Sequence, residues 1–304
     1  MKLRPPRDED FDQIVELLNA STRAAYGEDQ YSAEEVRQWL TSPGLEPDRD
    51  IRLAEENGRL IGYMDVDPQG ADPVRWWSDV RVQPDVDVDA VVRALVRWAE
   101  ERAGEGILRV WTPSAVEAMG AAYARLGFKP VRHSYRMAIE LAEEPRELSW
   151  PEGVSVRAFE SGDERPVYDA VREAWLDTWE PFEDPYEEWA HFTTDRKEFD
   201  PSLWFLACDG AEIAGFSLCN PSETRPGTGW VATLGVRRPW RRRGLGEALL
   251  RHSFAEFWKR GFRRAGLGVD AASPTGATRL YERAGMHVIR RLDIYEKEVG
   301  ASGR

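Results

Sequence analysis

Apolar positions between residues 154 and 298 fall into short alternating or continuous runs separated by stretches with helical spacing. That pattern predicts strands and helices in alternation. Ser155–Ala158 reads as a short strand, Asp163–Thr178 as a helix, and Tyr186–Phe192 as a second helix after breaks at Pro181 and Pro185. Trp204–Asp209 and Glu212–Asn220 form a hairpin about the turn signal Asp209-Gly210. Trp230–Val236 is a nearly continuous apolar strand. Leu245–Arg260 follows as a helix with Leu245, Ala248, Leu249 and Phe257 on one face and Gly261 at its end. Arg264–Val269 is another strand, and Thr275–Ala284 a helix between Pro274 and Gly285. His287–Arg290 and Leu292–Lys297 are expected to close the sheet. Strands alternating with helices and ending in a β pair imply a mixed α/β fold.

The same order of signals occurs once before. Leu3-Arg4-Pro5 with Asp8-Glu9-Asp10 recurs as Val156-Arg157-Ala158 with Gly162-Asp163-Glu164, and Leu60-Ile61-Gly62-Tyr63 as Glu212-Ile213-Ala214-Gly215-Phe216. Asp79-Val80-Arg81-Val82-Gln83-Pro84 recurs as Thr233-Leu234-Gly235-Val236-Arg237-Arg238-Pro239. Ala122-Tyr123-Ala124-Arg125-Leu126-Gly127-Phe128 recurs as Leu280-Tyr281-Glu282-Arg283-Ala284-Gly285-Met286. Arg4 and Arg157, like Gly62 and Gly215, are 153 residues apart. Landmarks that keep order and offset point to a tandem duplication. The expected division is residues 1–141, a polar, proline-punctuated linker at 142–153, and residues 154–304.

Composition narrows the class. A chain of 304 residues suits two domains, and 42% hydrophobic residues suffice for packed cores. No apolar run is long enough to cross a bilayer, and Met1–Pro6 lacks the apolar core of a signal peptide. Cys208, Cys219 and four His show no metal-ligand spacing, so no metal and a reduced, cytoplasmic protein, monomeric or homodimeric, are expected. The net charge of −13 argues against nucleic acid as a partner and is compatible with a cationic amine. The 13 Trp are expected mostly in cores, with a few lining a cleft.

The chemistry begins where Trp230–Val236 ends. After Pro239 comes Arg241-Arg242-Arg243-Gly244-Leu245-Gly246, and a helix follows at once. Helix N-termini offer free amides to anions, glycines permit close approach, and arginines add charge. A dinucleotide fingerprint is excluded because Leu249 takes its third glycine position, and a nucleotide-triphosphate loop because no Gly-Lys-Ser/Thr exists. The pattern Arg-x-x-Gly-x-Gly, with Val-x-x-Pro at Val236–Pro239, resembles the pyrophosphate loop of the GNAT family of acyl-CoA N-acyltransferases. The segment Asp270–Met286 looks like that family's Asn-x-x-Ala-x-x-Leu-Tyr-x-x-x-Gly-Phe, with Ser273 for Asn and Met286 for Phe.

The resemblance implies two tandem domains, each a mixed, largely antiparallel sheet with a splayed central strand pair flanked by helices. It implies acetyl-CoA as donor, with Leu234, Gly235, Val236, Arg241, Arg242, Arg243, Gly244, Leu245, Gly246, Ser273, Ala277 and Tyr281 around it. Backbone groups of Leu234 and Val236 would pair with the pantetheine amides, and an amide near Val236 would polarise the thioester. A small-molecule or peptide amine attacks directly, and Tyr281 protonates the leaving thiolate. A strand glutamate that serves as base in many members is missing, leaving Thr233. Carboxylates at Asp177, Glu180, Glu183 and Asp184 are candidates for a water relay. Trp179, Glu183 and Asn220 are candidates for the acceptor, with His191 a further one. In the first half Asp85, Asp87 and Asp89 stand where phosphates would sit, so only the second half is expected to bind coenzyme A. The alternatives are a non-catalytic acyl-CoA sensor, or acetylation of a cysteinyl amine, as some tandem members of the family perform.

Overall fold

The computed structural model describes residues 1–69, 74–146, 148–179, 184–196, 199–222 and 224–300. The chain forms two compact units, Met1–His133 with Arg291–Arg304, and Ser134–Arg290. In the first, β1 (Lys2–Arg4), α1 (Phe11–Tyr26), α2 (Ala33–Leu40), α3 (Pro47–Asp50), β2 (Ile51–Glu56) and β3 (Arg59–Asp65) follow one another. β4 (Asp67–Gln69), β5 (Arg75–Val82), α4 (Val88–Ala103), β6 (Gly106–Pro113) and α5 (Glu117–Arg125) come next. β7 (Lys129–Glu140) begins in this unit and ends in the second. There follow β8 (Val154–Ala158), α6 (Glu164–Trp175), α7 (Tyr186–Phe192), β9 (Trp204–Asp209), β10 (Glu212–Pro221) and β11 (Thr228–Val236). After α8 (Leu245–Lys259), β12 (Arg264–Asp270) and α9 (Ala277–Arg283), β13 (His287–Val299) returns to the first unit.

Among the described residues each unit carries a mixed sheet with one parallel pair inside it. The first runs β1-β2-β3-β5-β6-β13, with β4 beside β5 and only β5 and β6 parallel. The second runs β7-β12-β11-β10-β9-β8, with only β11 and β12 parallel. In the second unit, Leu245, Leu249, Leu250, Phe254 and Phe257 of α8 bury one face against Val231, Ala265 and Leu267. Val167, Val171 and Ala174 of α6 and Trp189 of α7 cover the other over Leu206, Phe216 and Leu218. The helical repeat read from the sequence of α8 is therefore the packed stripe.

The last strand departs from expectation. His287–Arg290 and Leu292–Lys297 are one continuous strand, and Leu292–Val299 pairs antiparallel with Gly106–Pro113 in the first unit. The second sheet is closed instead by Ser134–Glu140 of β7, which pairs antiparallel with Arg264–Asp270. Alternation tells which side chains face inward but not which edge the strand joins. The two halves of the sequence thus exchange their final strands.

The first unit also buries charge that composition does not reveal. Asp65 accepts from the Asp79 amide at 2.6 Å and from the Tyr63 hydroxyl at 2.9 Å. Asp79 pairs with Arg81 at 2.7 Å, and Arg81 donates to the Tyr31 hydroxyl at 2.5 Å and stacks on Trp111 at 4.3 Å. Asp79 thus has a guanidinium partner, while Asp65 beside it is held by an amide and a hydroxyl. Burial, then the neighbouring Asp79, pushes the Asp65 carboxyl up to about 7 from an ordinary 3.8. A carboxyl raised in the folded state holds its proton there while the unfolded chain has lost it. Its contribution to stability therefore falls as pH rises from about 4 to about 7. Asp65→Asn keeps the hydrogen-bond shape and should flatten that slope, gaining on the order of 2 kcal/mol over wild type at pH 8. Urea unfolding at pH 5 and pH 8 checks this; an equal effect of the substitution at both would contradict it.

Candidate active site

The parallel pair of the second unit parts midway. β11 and β12 pair from Thr228 with Arg264 to Val231 with Leu267, yet β11 continues to Val236 and β12 to Asp270. Between Leu218 and Cys219 the ladder of β10 with β11 shifts register and leaves Ala232 without a partner. Such a bulge bends its strand, here away from β12, which stays paired with β7 as far as Asp270 with Ser134. The amide of Arg237 donates to Ala214 of β10 at 3.0 Å, so by alternation Leu234 and Val236 direct their backbone groups into the gap. Gly235 turns its backbone groups toward β10 instead, and on its face of the sheet a Cβ would collide with the Phe216 ring.

The arginine–glycine loop lies at the end of β11. Gly244 has φ +83° and caps α8, a conformation that excludes most side chains. The first bond into the helix is from Ala248 to the Gly244 carbonyl at 3.0 Å, so the amides of Leu245, Gly246 and Glu247 have no acceptor within it. A Cβ on Gly246 would stand 3.2 Å from Leu280 and 3.6 Å from Val236. The end of β11 and the starts of α8 and α9 therefore converge there.

The three arginines are not equivalent. Arg242 (φ +63°) and Arg243 are exposed. Arg241 is turned inward, donating to the Val236 carbonyl at 2.9 Å, to Asp177 at 2.5 Å and to the Ala174 carbonyl at 3.2 Å. Arg238 also binds Asp177, at 2.8 and 2.5 Å. The Arg241 side chain therefore braces the loop against the end of α6 instead of reaching outward. It also takes the Val236 carbonyl that sequence reading leaves for pantetheine. Nothing in the repeat of arginines marks which one turns in.

Tyr281 lies on α9 and is 7% exposed, in the same cluster as Leu249 and Trp240. Burial pushes its hydroxyl up to about 12, so it carries a proton at neutral pH. Ala277 opens α9 after Gly276 at φ +72°. The Ser273 hydroxyl bonds the Thr275 hydroxyl at 2.9 Å, and its carbonyl accepts from Gly276 at 3.1 Å, so this serine holds its own turn.

Of the relay carboxylates, Asp177 is held well below the usual carboxylate range by hydrogen bonds from Arg238 and Arg241 and is unsuited to take a proton. The Asp184 carbonyl accepts from Tyr168 at 2.8 Å. Glu180 and Glu183 lie outside the described residues. Trp179 is half-buried just beyond Asp177, and Thr233 lies at the bulge opposite Leu218. Asn220 pairs in register with Trp230, at the end of the ladder away from the loop, and its amide donates to Pro221 at 3.2 Å. His191 packs edge-on against Phe192 at 5.0 Å. Among the described residues no cluster of His, Cys, Asp and Glu could hold a metal.

The first unit has the same parallel pair and different contents. Asp87 caps α4 by accepting from Ala90 at 3.2 Å, Asp85 pairs with Arg59 at 2.8 Å, and Asp89 with Arg125 at 2.5 Å. Where Tyr281 stands, Tyr123 is fully buried against Phe128 and Tyr295.

A parallel strand pair built twice in one chain, and in the second unit parting toward a glycine-capped helix start, coincides with a sequence match. The profile of the acetyltransferase (GNAT) family matches residues 11–128 and 166–286. The chain belongs to the GNAT family. A mycothiol acetyltransferase of Geodermatophilus obscurus is 32% identical over 90% of this chain and 89% of the relative. A solved GCN5-related N-acetyltransferase from Sphaerobacter thermophilus shares 34% identity at a TM-score of 0.78, covering 98% of this chain and 95% of that one. A tandem GNAT protein from the clavulanic acid biosynthesis pathway, 17% identical, shares the fold at a TM-score of 0.72 over 99% of both chains. This GNAT protein is accordingly an acetyltransferase that takes its acyl group from acetyl-CoA and delivers it to an amine. Among the described residues no helix is long and apolar enough to cross a membrane.

Proposed function

We propose that one acetyl-CoA binds per chain, in the second unit, and that the acetyl group passes directly to a primary amine. The observation that carries this reading is the gap lined by Leu234 and Val236 leading to the free amides of Leu245, Gly246 and Glu247. Those amides and the exposed Arg242 and Arg243 suit a pyrophosphate. The amine nitrogen attacks the thioester carbon, a strand amide near Val236 stabilises the oxyanion, and the carbon–sulfur bond breaks. Tyr281 gives its proton to the leaving thiolate, and the amine proton leaves through water. Asp177 serves as a brace for Arg238 and Arg241. The first unit is read as non-catalytic, since its helix start is acidic and its gap holds Arg81.

A second reading, supported by the likeness to mycothiol acetyltransferases over most of the chain, is acetylation of a cysteinyl amine. The decisive experiment couples calorimetric acetyl-CoA binding with thiol release on a panel of amines that includes cysteinyl glycosides. Replacing Gly244 and Gly246 together by valine should weaken acetyl-CoA binding at least about tenfold, because φ +83° and the approach to Leu280 both exclude a branched side chain. Binding without thiol release on any amine would point to a sensor; unaltered binding in the double variant would remove the loop from the site.

A further inference from the structure

The chain between β11 and α8 is held unevenly. Its first residues are tied down by three acids. Arg237 donates to Glu173 at 2.6 Å and to the Ile213 carbonyl at 2.9 Å, and its guanidinium lies 5.2 Å from the centre of the Trp240 ring. Trp240 is buried and donates through Nε1 to Asp209 at 2.9 Å. Arg238 and Arg241 close together on Asp177, through three hydrogen bonds of 2.8, 2.5 and 2.5 Å. The last residues of the loop are strained instead. Arg242 has φ +63° and Gly244 φ +83°. A positive φ outside glycine costs free energy and persists where its neighbours over-determine it. For Arg242 the neighbour on one side is Arg243 with the start of α8. On the other side it is Arg241, whose Nε, Nη1 and Nη2 each meet an acceptor.

The duplication provides an internal control for this tie. The helices α1 and α6 start 153 residues apart, as do Arg4 and Arg157, and Gly62 and Gly215, if α6 is counted from Glu164 and α1 from Phe11. That spacing places Ala24 where Asp177 stands. Between Val82 and Ala90 there is no arginine, and the Gln83 amide turns to the Leu60 carbonyl at 3.5 Å. The half without the glycine loop therefore lacks both ends of the tie as well. A contact needed only to pack helix against sheet would serve both halves; this one accompanies the loop. Its worth to stability is small, since the Asp177 side chain is 34% exposed and exposed pairs contribute little. Two guanidiniums on one carboxylate leave a net positive charge, which suits a neighbouring anion. Because those arginines hold the Asp177 carboxyl well below the usual range, the tie persists at mildly acidic pH.

We propose that Asp177 is a positioning residue for the donor. By holding Arg238 and Arg241 together it keeps the strained turn at Arg242–Gly244 in the shape that aims the α8 amides at a pyrophosphate. Arg241 acts as the other half of this brace and not as a phosphate ligand, which leaves direct contact to the amides, Arg242 and Arg243. This rests on the reading of the same loop as the acetyl-CoA site. The gain is pre-organisation: a loop already in its binding shape spends none of the binding free energy on ordering itself. A donor that lacks the pyrophosphate does not use the loop and does not feel the brace.

Binding titrations of the full-length protein test this with two donors, acetyl-CoA and S-acetyl-pantetheine, which keeps the thioester arm without pyrophosphate or nucleotide. The Kd of S-acetyl-pantetheine divided by that of acetyl-CoA reads the contribution of the loop. Asp177→Asn keeps the size of the side chain and removes its charge, and should lower that ratio at least about tenfold. Arg241→Gln should lower it by a similar factor. The double variant should lose no more than either single one, because both remove the same brace. An unchanged ratio in Asp177→Asn, or equal weakening of both donors, would overturn the positioning role. Losses that multiply in the double variant would make Arg241 a phosphate ligand in its own right and overturn the inference as well. A wild-type ratio near one would overturn the reading of the loop as the pyrophosphate site, and this inference with it.

Discussion

Deletion of residues 291–304 is expected to unfold the first unit, although those residues close the second half of the sequence. Leu292–Val299 forms eight register pairs with β6 and buries Ile294 and Val299. Glu296 is a carboxylate partner of the buried Arg109, and the Lys297 ammonium pairs with the Glu100 carboxylate. Without the strand, β6 becomes an open edge, Tyr123 loses Tyr295, and the buried Arg109 loses Glu296. Breaking a buried ion pair from one side alone costs about 3–5 kcal/mol. Lost apolar burial and ladder bonds bring the total into the range of a whole domain's stability, roughly 5–15 kcal/mol. Hydrogen exchange at Gly106–Pro113 reads the outcome. Retained protection there, with an unchanged melting point, would show that β13 is dispensable. For the same reason the sequence halves are poor experimental pieces: residues 1–141 lack the β13 strand, and residues 154–304 lack β7.

Tyr281→Phe should lower kcat by about 10²-fold, the usual scale for losing a positioned acid. The KM for acetyl-CoA should stay within about twofold, because the ring and its packing remain. With its hydroxyl pushed up to about 12, wild-type kcat should show no decline from deprotonation of Tyr281 below about pH 10. Turnover of the phenylalanine variant equal to wild type across that range would take the proton donor away from this residue.

The family, the doubled architecture and the splayed strands were legible because each rests on local signals. Arg-x-x-Gly-x-Gly after a strand, an Asp-Gly hairpin and a constant spacing of landmarks require no knowledge of distant contacts. What escaped depends on partners far apart in sequence. Strand β13 has the right alternation at either sheet edge, and Arg291 reads as a break although the backbone stays extended. Arg241, Arg242 and Arg243 are chemically alike, and only the nearness of Asp177 and the Val236 carbonyl turns the first inward. Asp65 and Asp79 look like surface acids until β3 and β5 bring them side by side.

Arg81 has a consequence for how such a chain can change over time. It occupies the place of Gly235 and is the guanidinium that pairs with Asp79, next to Asp65. Exchanging it alone for glycine would leave Asp79 without its guanidinium beside a second carboxyl, Asp65, a loss of stability felt before any ligand could profit from the space. Reopening that gap requires Arg81, Asp79, Asp65 and Trp111 to change together. The filled gap therefore acts as a ratchet: drift can reshape the surface of the first unit, while no single substitution leads back to an open one.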